Sequence, residues 1–140
     1  IASTSLALYH QKSSLRSSWK HVSFSGQAIK MMADTSTCVL QLNAEGLTRP
    51  KRDLIPHIAK ENCVNVICLQ ETHCETEEQL HIEGFDLICF IPHKKHGIAS
   101  YVKQGMKAST TGRSPANSAL QWSTFEAMGT HFCNLYKPPL

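Results

Sequence analysis

The chain predicts an α/β fold. Three observations carry that prediction: a strand, helix, strand pattern between Thr37 and Leu69, further strand-length apolar runs set apart by Gly and Pro, and an apolar fraction large enough for a packed core. Of the 140 residues, 41% are apolar and 18% charged, an ordinary globular balance. No apolar run approaches the roughly 18 to 20 residues that span a bilayer, so no membrane partner is expected.

The first strand is Thr37-Cys-Val-Leu-Gln-Leu-Asn43, rich in branched and apolar residues and broken at Gly46. Leu54, Ile55, Ile58 and Ala59 then recur at helical spacing. Asp53 is available as an N-cap and Pro56 would fall in the tolerated first turn, which predicts a helix over 53–61. Val66-Ile-Cys-Leu69 is an uninterrupted apolar run, as expected of a strand covered on both faces. The acidic stretch of Glu75, Glu77 and Glu78 reads as a solvated turn or helix start. After Gly84 comes the strand Phe-Asp-Leu-Ile-Cys-Phe-Ile, ended by Pro92. His93 to Gly97 reads as a loop, Gly97 to Gln104 as a strand, and 111–117, with Gly112 and Pro115, as a second loop. Two last strands, within Ser118 to Met128 and Thr130 to Tyr136, meet around Gly129 as in a hairpin. There is no internal repeat.

Charge is uneven along the chain. The net +3 owes everything to the opening segment, where Lys12, Arg16, Lys20 and Lys30 meet no acid; residues 34–140 hold ten basic residues against eleven acidic. Bulk electrostatics therefore makes no argument for nucleic acid, and any such argument must rest on a site. The serine-rich segment 1–33 has no sustained period and is expected to be disordered, or a leader foreign to the folded domain that begins at Thr37. Its composition also fits a mitochondrial transit peptide. Against that stand Ile1 at the start and Met31-Met32, a natural initiation point, just before the first strand. Cys38, Cys68, Cys89 and Cys133 lie in strand-like runs, which favours buried thiols over a disulfide framework and a reducing, intracellular setting.

In open α/β folds ligands gather at the C-terminal ends of strands. Three segments meet that criterion: Asn43-Ala-Glu45-Gly-Leu47, Gln70-Glu71-Thr-His73, and Asn134-Leu-Tyr136-Lys-Pro-Pro139. If the first two strands are adjacent and parallel, Glu45 and Glu71 come close together, and two acids with an amide suit a hard cation such as Mg²⁺. Polar residues also end strands simply because strands end in solvent, and Asn43-x-Glu45-Gly46 is equally turn chemistry.

Taken in order, Leu40-Gln-Leu-Asn-Ala-Glu-Gly-Leu47, Val66-Ile-Cys-Leu-Gln-Glu-Thr-His73, His96-Gly-Ile-Ala-Ser-Tyr-Val-Lys-Gln-Gly105 and Phe132-Cys-Asn-Leu-Tyr-Lys-Pro-Pro139 resemble the amino-terminal half of the endonuclease/exonuclease/phosphatase superfamily. In particular they resemble the apurinic-type endonuclease of non-LTR (LINE-type, jockey-like) retrotransposon reverse transcriptase polyproteins. The resemblance covers about the last hundred residues. It implies a partial two-layer α/β sandwich, the first half of a DNase I-like fold, over 37–140. It also implies DNA as partner, with the element RNA and the reverse transcriptase domain in the intact polyprotein, and nuclear action there.

Residue by residue, it implies that Glu71 is the principal ligand of Mg²⁺ or Mn²⁺, that Asn43 orients the active-site hydrogen bonds, and that Tyr136 reaches the scissile phosphate. Glu45 stands where family members vary between acid and amide, and is a second candidate ligand. His73 is either a substrate contact or a loop hydrogen-bonding residue. Arg49 and Arg52, with Lys51, either contact phosphates or form a solvated helix start. The family's water-activating Asp-x-Asn and Asp-His pairs would follow the Tyr-x-Pro-Pro stretch and are not among these 140 residues. The chain is therefore expected to lack turnover and to leave one sheet with a bare apolar face. Two rival readings are a non-enzymatic remnant or interaction module, and another phosphoesterase of the same superfamily. His93 and His96, without clustered Cys or acid, make a poor zinc set.

Overall fold

A computed structural model of the chain describes residues 6–11, 17–22 and 37–139, the first two stretches as backbone only. In chain order the elements are β1 (Leu6–Gln11), β2 (Ser17–Val22), β3 (Thr37–Asn43), α1 (Arg49–Glu61), β4 (Val66–Gln70), a 3-10 turn (Glu77–Leu80), β5 (Phe85–Ile91), β6 (Ile98–Lys103), β7 (Ala108–Arg113), β8 (Gln121–Ala127) and β9 (Thr130–Tyr136). A six-stranded sheet runs β2-β1-β3-β4-β6-β5 and a three-stranded sheet runs β7-β8-β9. The protein is thus a mixed α/β fold with two sheets and one α-helix among the described residues. β3 and β4 are parallel neighbours, joined through α1, with Asn43 opposite Gln70; the other pairings are antiparallel.

Period-2 alternation divides the core in two. Leu40 and Leu42 of β3, Ile67 and Leu69 of β4, and Ala99 and Tyr101 of β6 pack with Ile55 and Ala59 of α1, Leu80 and Ile82. Tyr101 is fully buried, and its hydroxyl is satisfied by donating to the Leu80 carbonyl at 2.7 Å. The alternate positions, Val39, Val66, Cys68 and Val102, pack with Phe125, Ala127 and Phe132 of the small sheet, the two Phe rings stacked at 5.1 Å. All five residues of β4 are buried, as its unbroken apolar run predicts. The expectation of a bare sheet face is therefore corrected: β7, β8 and β9 cover it, with β8 and β9 against β6 and β9 also against β4.

Three further expectations differ from the structure. β1 and β2 fall within 1–33, where no element was expected; β1 pairs with β3 from Leu6 opposite Leu42 to Gln11 opposite Thr37, and β2 pairs with β1. An edge ladder is held backbone to backbone, so it does not require the alternation that marks a half-buried strand. The rest of 1–33 lies outside the described residues.

The helix begins at Arg49 rather than Asp53, with Thr48 at the N-cap and Pro50 in its first turn, so that Pro56 sits inside it. Two prolines six residues apart both fit a first turn, and only Pro50 occupies one. β7 occupies part of the segment read as a loop because of Gly112. A Cβ at Gly112 would meet Trp122 Cζ3 at 3.2 Å, so the glycine marks a bulged strand lying close under an aromatic ring.

Candidate functional site

The parallel β3-β4 pair delivers its two following turns to the same end of the sheet. The turns bind each other through backbone bonds: Ala44 N–H donates to Gln70 O at 2.8 Å, Gly46 N–H to Glu71 O at 2.7 Å and Leu47 N–H to Thr72 O at 2.8 Å. Asn43 Oδ1 accepts the Glu45 N–H at 3.1 Å. Lys51 Nζ donates to the Ala44 carbonyl and lies 3.1 Å from that of Gly46, so it fastens the turn from within α1. Glu45, Glu71 and His73 all hold positive φ, at 44°, 52° and 55°. Each such non-glycine residue costs of order 1–3 kcal/mol, and such residues persist only where surrounding bonds impose them. The 93–97 loop closes the other flank, with Thr72 N–H donating to Gly97 O at 3.1 Å and His73 N–H to His96 O at 2.8 Å.

Onto this platform β9 brings Tyr136, whose hydroxyl donates to Glu71 Oε1. Burial first, then the hydrogen bond to Glu71 and its negative charge, raise the Tyr136 pKa well above the ordinary phenol range. At neutral pH the phenol therefore keeps its proton and acts as a donor.

β9 is held in place by a buried amide pair. Gln70 Nε2 donates to Asn134 Oδ1 at 2.7 Å, and Asn134 Nδ2 lies 3.2 Å from both Leu69 O and Ala99 O and 3.1 Å from Ser100 Oγ. Asn134 and Tyr136 are two apart and share the inward face, so this pair sets the depth at which the phenol arrives. The His96 ring lies 6.0 Å from that of Tyr136 and stacks on His93 at 4.8 Å. Thr72 Oγ1 and His96 Nδ1 are buried without a hydrogen-bond partner among the described residues.

The structure thus brings Glu71 and Tyr136 into direct contact and lays the Asn43-Glu45 turn alongside Glu71. Asn43 shapes that turn through Glu45. His73 is exposed beside it, with Nδ1 3.2 Å from where a Cβ on Gly46 would stand. Arg49 is exposed on the first helical turn, while Arg52 is directed to the 3-10 turn, its Nη1 donating to Glu78 O at 3.4 Å.

The six cysteines are free; Cys38, Cys68, Cys74 and Cys89 are buried, whereas Cys63 and Cys133 are exposed. For Cys133 this corrects the expected burial: its strand lies in an outer sheet, and its side chain falls on the face opposite Asn134.

Among the described residues no group of three or more His, Cys, Asp or Glu is arranged to hold a metal ion. Glu71 and, on the adjoining turn, Glu45 are hard oxygen donors of the kind that holds Mg²⁺ through one or two carboxylates.

Sequence reasoning passed over Gln70 and Asn134 as individual residues. The signal was present, since both are amides on inward-facing positions of otherwise apolar strands. No protein-family model and no curated protein matches the chain.

Proposed function

We propose that this chain carries the cation- and phosphate-binding side of a Mg²⁺-dependent DNA endonuclease with a DNase I-like fold, one that in its intact form nicks target DNA for retrotransposition. The observation that supports this reading most is the Tyr136 hydroxyl on the Glu71 carboxylate, at strand ends shared by two packed sheets. Mg²⁺ or Mn²⁺ bound at Glu71, with Glu45 beside it, would supply Lewis acidity toward a phosphodiester. Glu71 offers a hard oxygen ligand, and Tyr136, whose single O–H would turn from the Glu71 carboxylate to the substrate, offers a donor to a non-bridging oxygen as charge builds on it. The buried Gln70-Asn134 pair fixes the distance between them. No aspartate or histidine follows Tyr136, so these residues provide no Asp-x-Asn or Asp-His pair to activate water.

The test is supercoiled plasmid incubated with the purified chain and Mg²⁺. The expected result is DNA binding that Mg²⁺ strengthens and Glu71→Ala weakens, without nicking. Nicking abolished by Glu71→Ala would overturn the expected lack of turnover, and plasmid binding indifferent to both Mg²⁺ and Glu71 would overturn the nuclease reading itself.

A further inference from the structure

We infer that the loop His93–Gly97, together with Arg113, forms a grip for the phosphodiester backbone of duplex DNA beside the Glu71-Tyr136 site. The inference rests on the endonuclease reading and adds the surface along which the substrate would lie.

The loop is locked to the candidate site. His93 N–H donates to Cys74 O at 3.0 Å, and Thr72 and His73 donate in turn to Gly97 and His96. Its shape is set internally: His93 Nδ1 accepts the N–H groups of both Lys95, at 3.1 Å, and His96, at 3.0 Å. A tight turn results, with Lys94 and Lys95 exposed at its tip. Gly97 makes the close approach possible, because at φ +95° a Cβ there would stand 2.7 Å from Thr72 Oγ1.

The charge is local. Neither lysine has a carboxylate within 4.0 Å among the described residues, where His131 with Glu126 is the one ion pair. Arg113 Nη1 donates to Phe90 O at 3.0 Å, which ties a third cation, with guanidinium donors to spare, to the strand end that leads three residues later into His93. Residues 34–140 hold ten basic residues against eleven acidic with these three cations counted, and seven against eleven without them, so this is a distinct basic cluster rather than a share of a generally basic surface. Cations beside a catalytic strand end position a phosphate backbone without reading its sequence.

Fluorescence anisotropy of a labelled duplex oligonucleotide, titrated with the full chain in EDTA across a salt series, tests this inference. Lys94→Gln/Lys95→Gln is compared with Lys60→Gln/Lys107→Gln, which removes the same charge from two exposed positions outside the loop. Loss of two phosphate contacts flattens the slope of log Kobs against log salt by about 1.8, at about 0.9 per contact. The control pair is expected to keep the wild-type slope.

Equal slopes for wild type and the loop variant, with wild-type binding intact, would overturn this inference and leave the endonuclease reading standing. No duplex binding by the wild type at any salt would overturn both. A loop effect seen on phosphatidylserine vesicles and absent on DNA would overturn the inference in favour of a lipid surface.

Discussion

Replacing Asn134 by Leu removes the amide that ties β9 to β4 and β6 while nearly keeping its volume. Gln70 Nε2, on a residue only 5% exposed, loses its acceptor, and the Asn134 Nδ2 donor is lost to Leu69 O, Ala99 O and Ser100 Oγ. One buried orphaned amide costs about 1–3 kcal/mol, and the lost hydrogen bonding adds about 1 kcal/mol. The variant should therefore be destabilised by roughly 2–4 kcal/mol, or about 10 °C in Tm for a domain of this size. The sharper measurement is a double-mutant cycle by urea denaturation followed by circular dichroism. Gln70→Leu/Asn134→Leu should cost less than the sum of the single variants, with a coupling of about 1–3 kcal/mol, because removing both members of the Gln70-Asn134 bond leaves neither amide facing an apolar side chain. Additive single effects would refute the bonded pair, as would a cost for Asn134→Leu below about 0.5 kcal/mol.

The remaining predictions concern the backbone and the thiols. Gly97→Ala should cost about 2 kcal/mol more than Gly84→Ala in the same denaturation assay. Both have positive φ, but only Gly97 has a neighbour, Thr72 Oγ1, where the methyl group would go. Equal costs would mean that the loop does not press on Thr72. A thiol reagent at pH 8 should label Cys63 and Cys133 quickly and the other four cysteines only after unfolding, and rapid native labelling of four or more would contradict the core described above.

Burial raises Cys38 from an ordinary 9.0 to about 11, with a smaller contribution from Cys63, and raises Cys68 to about 12. The folded chain thus holds these protons where the unfolded chain releases them. Stability should be at its full value below pH 9 and fall as pH rises toward 11 to 12, by about 1.4 kcal/mol per pH unit for each thiol. Stability that is flat or rising over that window, measured by urea denaturation, would contradict both burials.

Much of the strand plan was legible because its signals are local. Thr37–Asn43, Phe85–Ile91 and Thr130–Tyr136 begin and end where their apolar runs do. The parallel β3-β4 pair likewise follows from a strand, helix, strand order with a doubly covered second strand. What was not legible depends on partners distant in sequence. Gly112 reads as a turn residue until Trp122 lies against it. Asp53 reads as the cap, yet α1 starts at Arg49 with Thr48 as N-cap, and packs Ile55 and Ala59 against the sheet. The covering of the inner face by β7 to β9 shows only once alternate residues of β8 and β9 are seen to face Val66 and Val102. The site divides in the same way. The strand-end positions of Glu71 and Tyr136 could be read from pattern and resemblance, but their direct contact depends on Asn134 and Gln70, 64 residues apart.

The proposed function stands on Glu71 as a cation ligand in a site it shares with Tyr136. Mn²⁺ titration followed by electron paramagnetic resonance tests it most directly, with wild type, Glu71→Gln and, as a control, the exposed Glu78→Gln. One Mn²⁺ site is expected in the wild type, kept in Glu78→Gln and lost in Glu71→Gln; undiminished binding by Glu71→Gln would remove Glu71 from the ligand set.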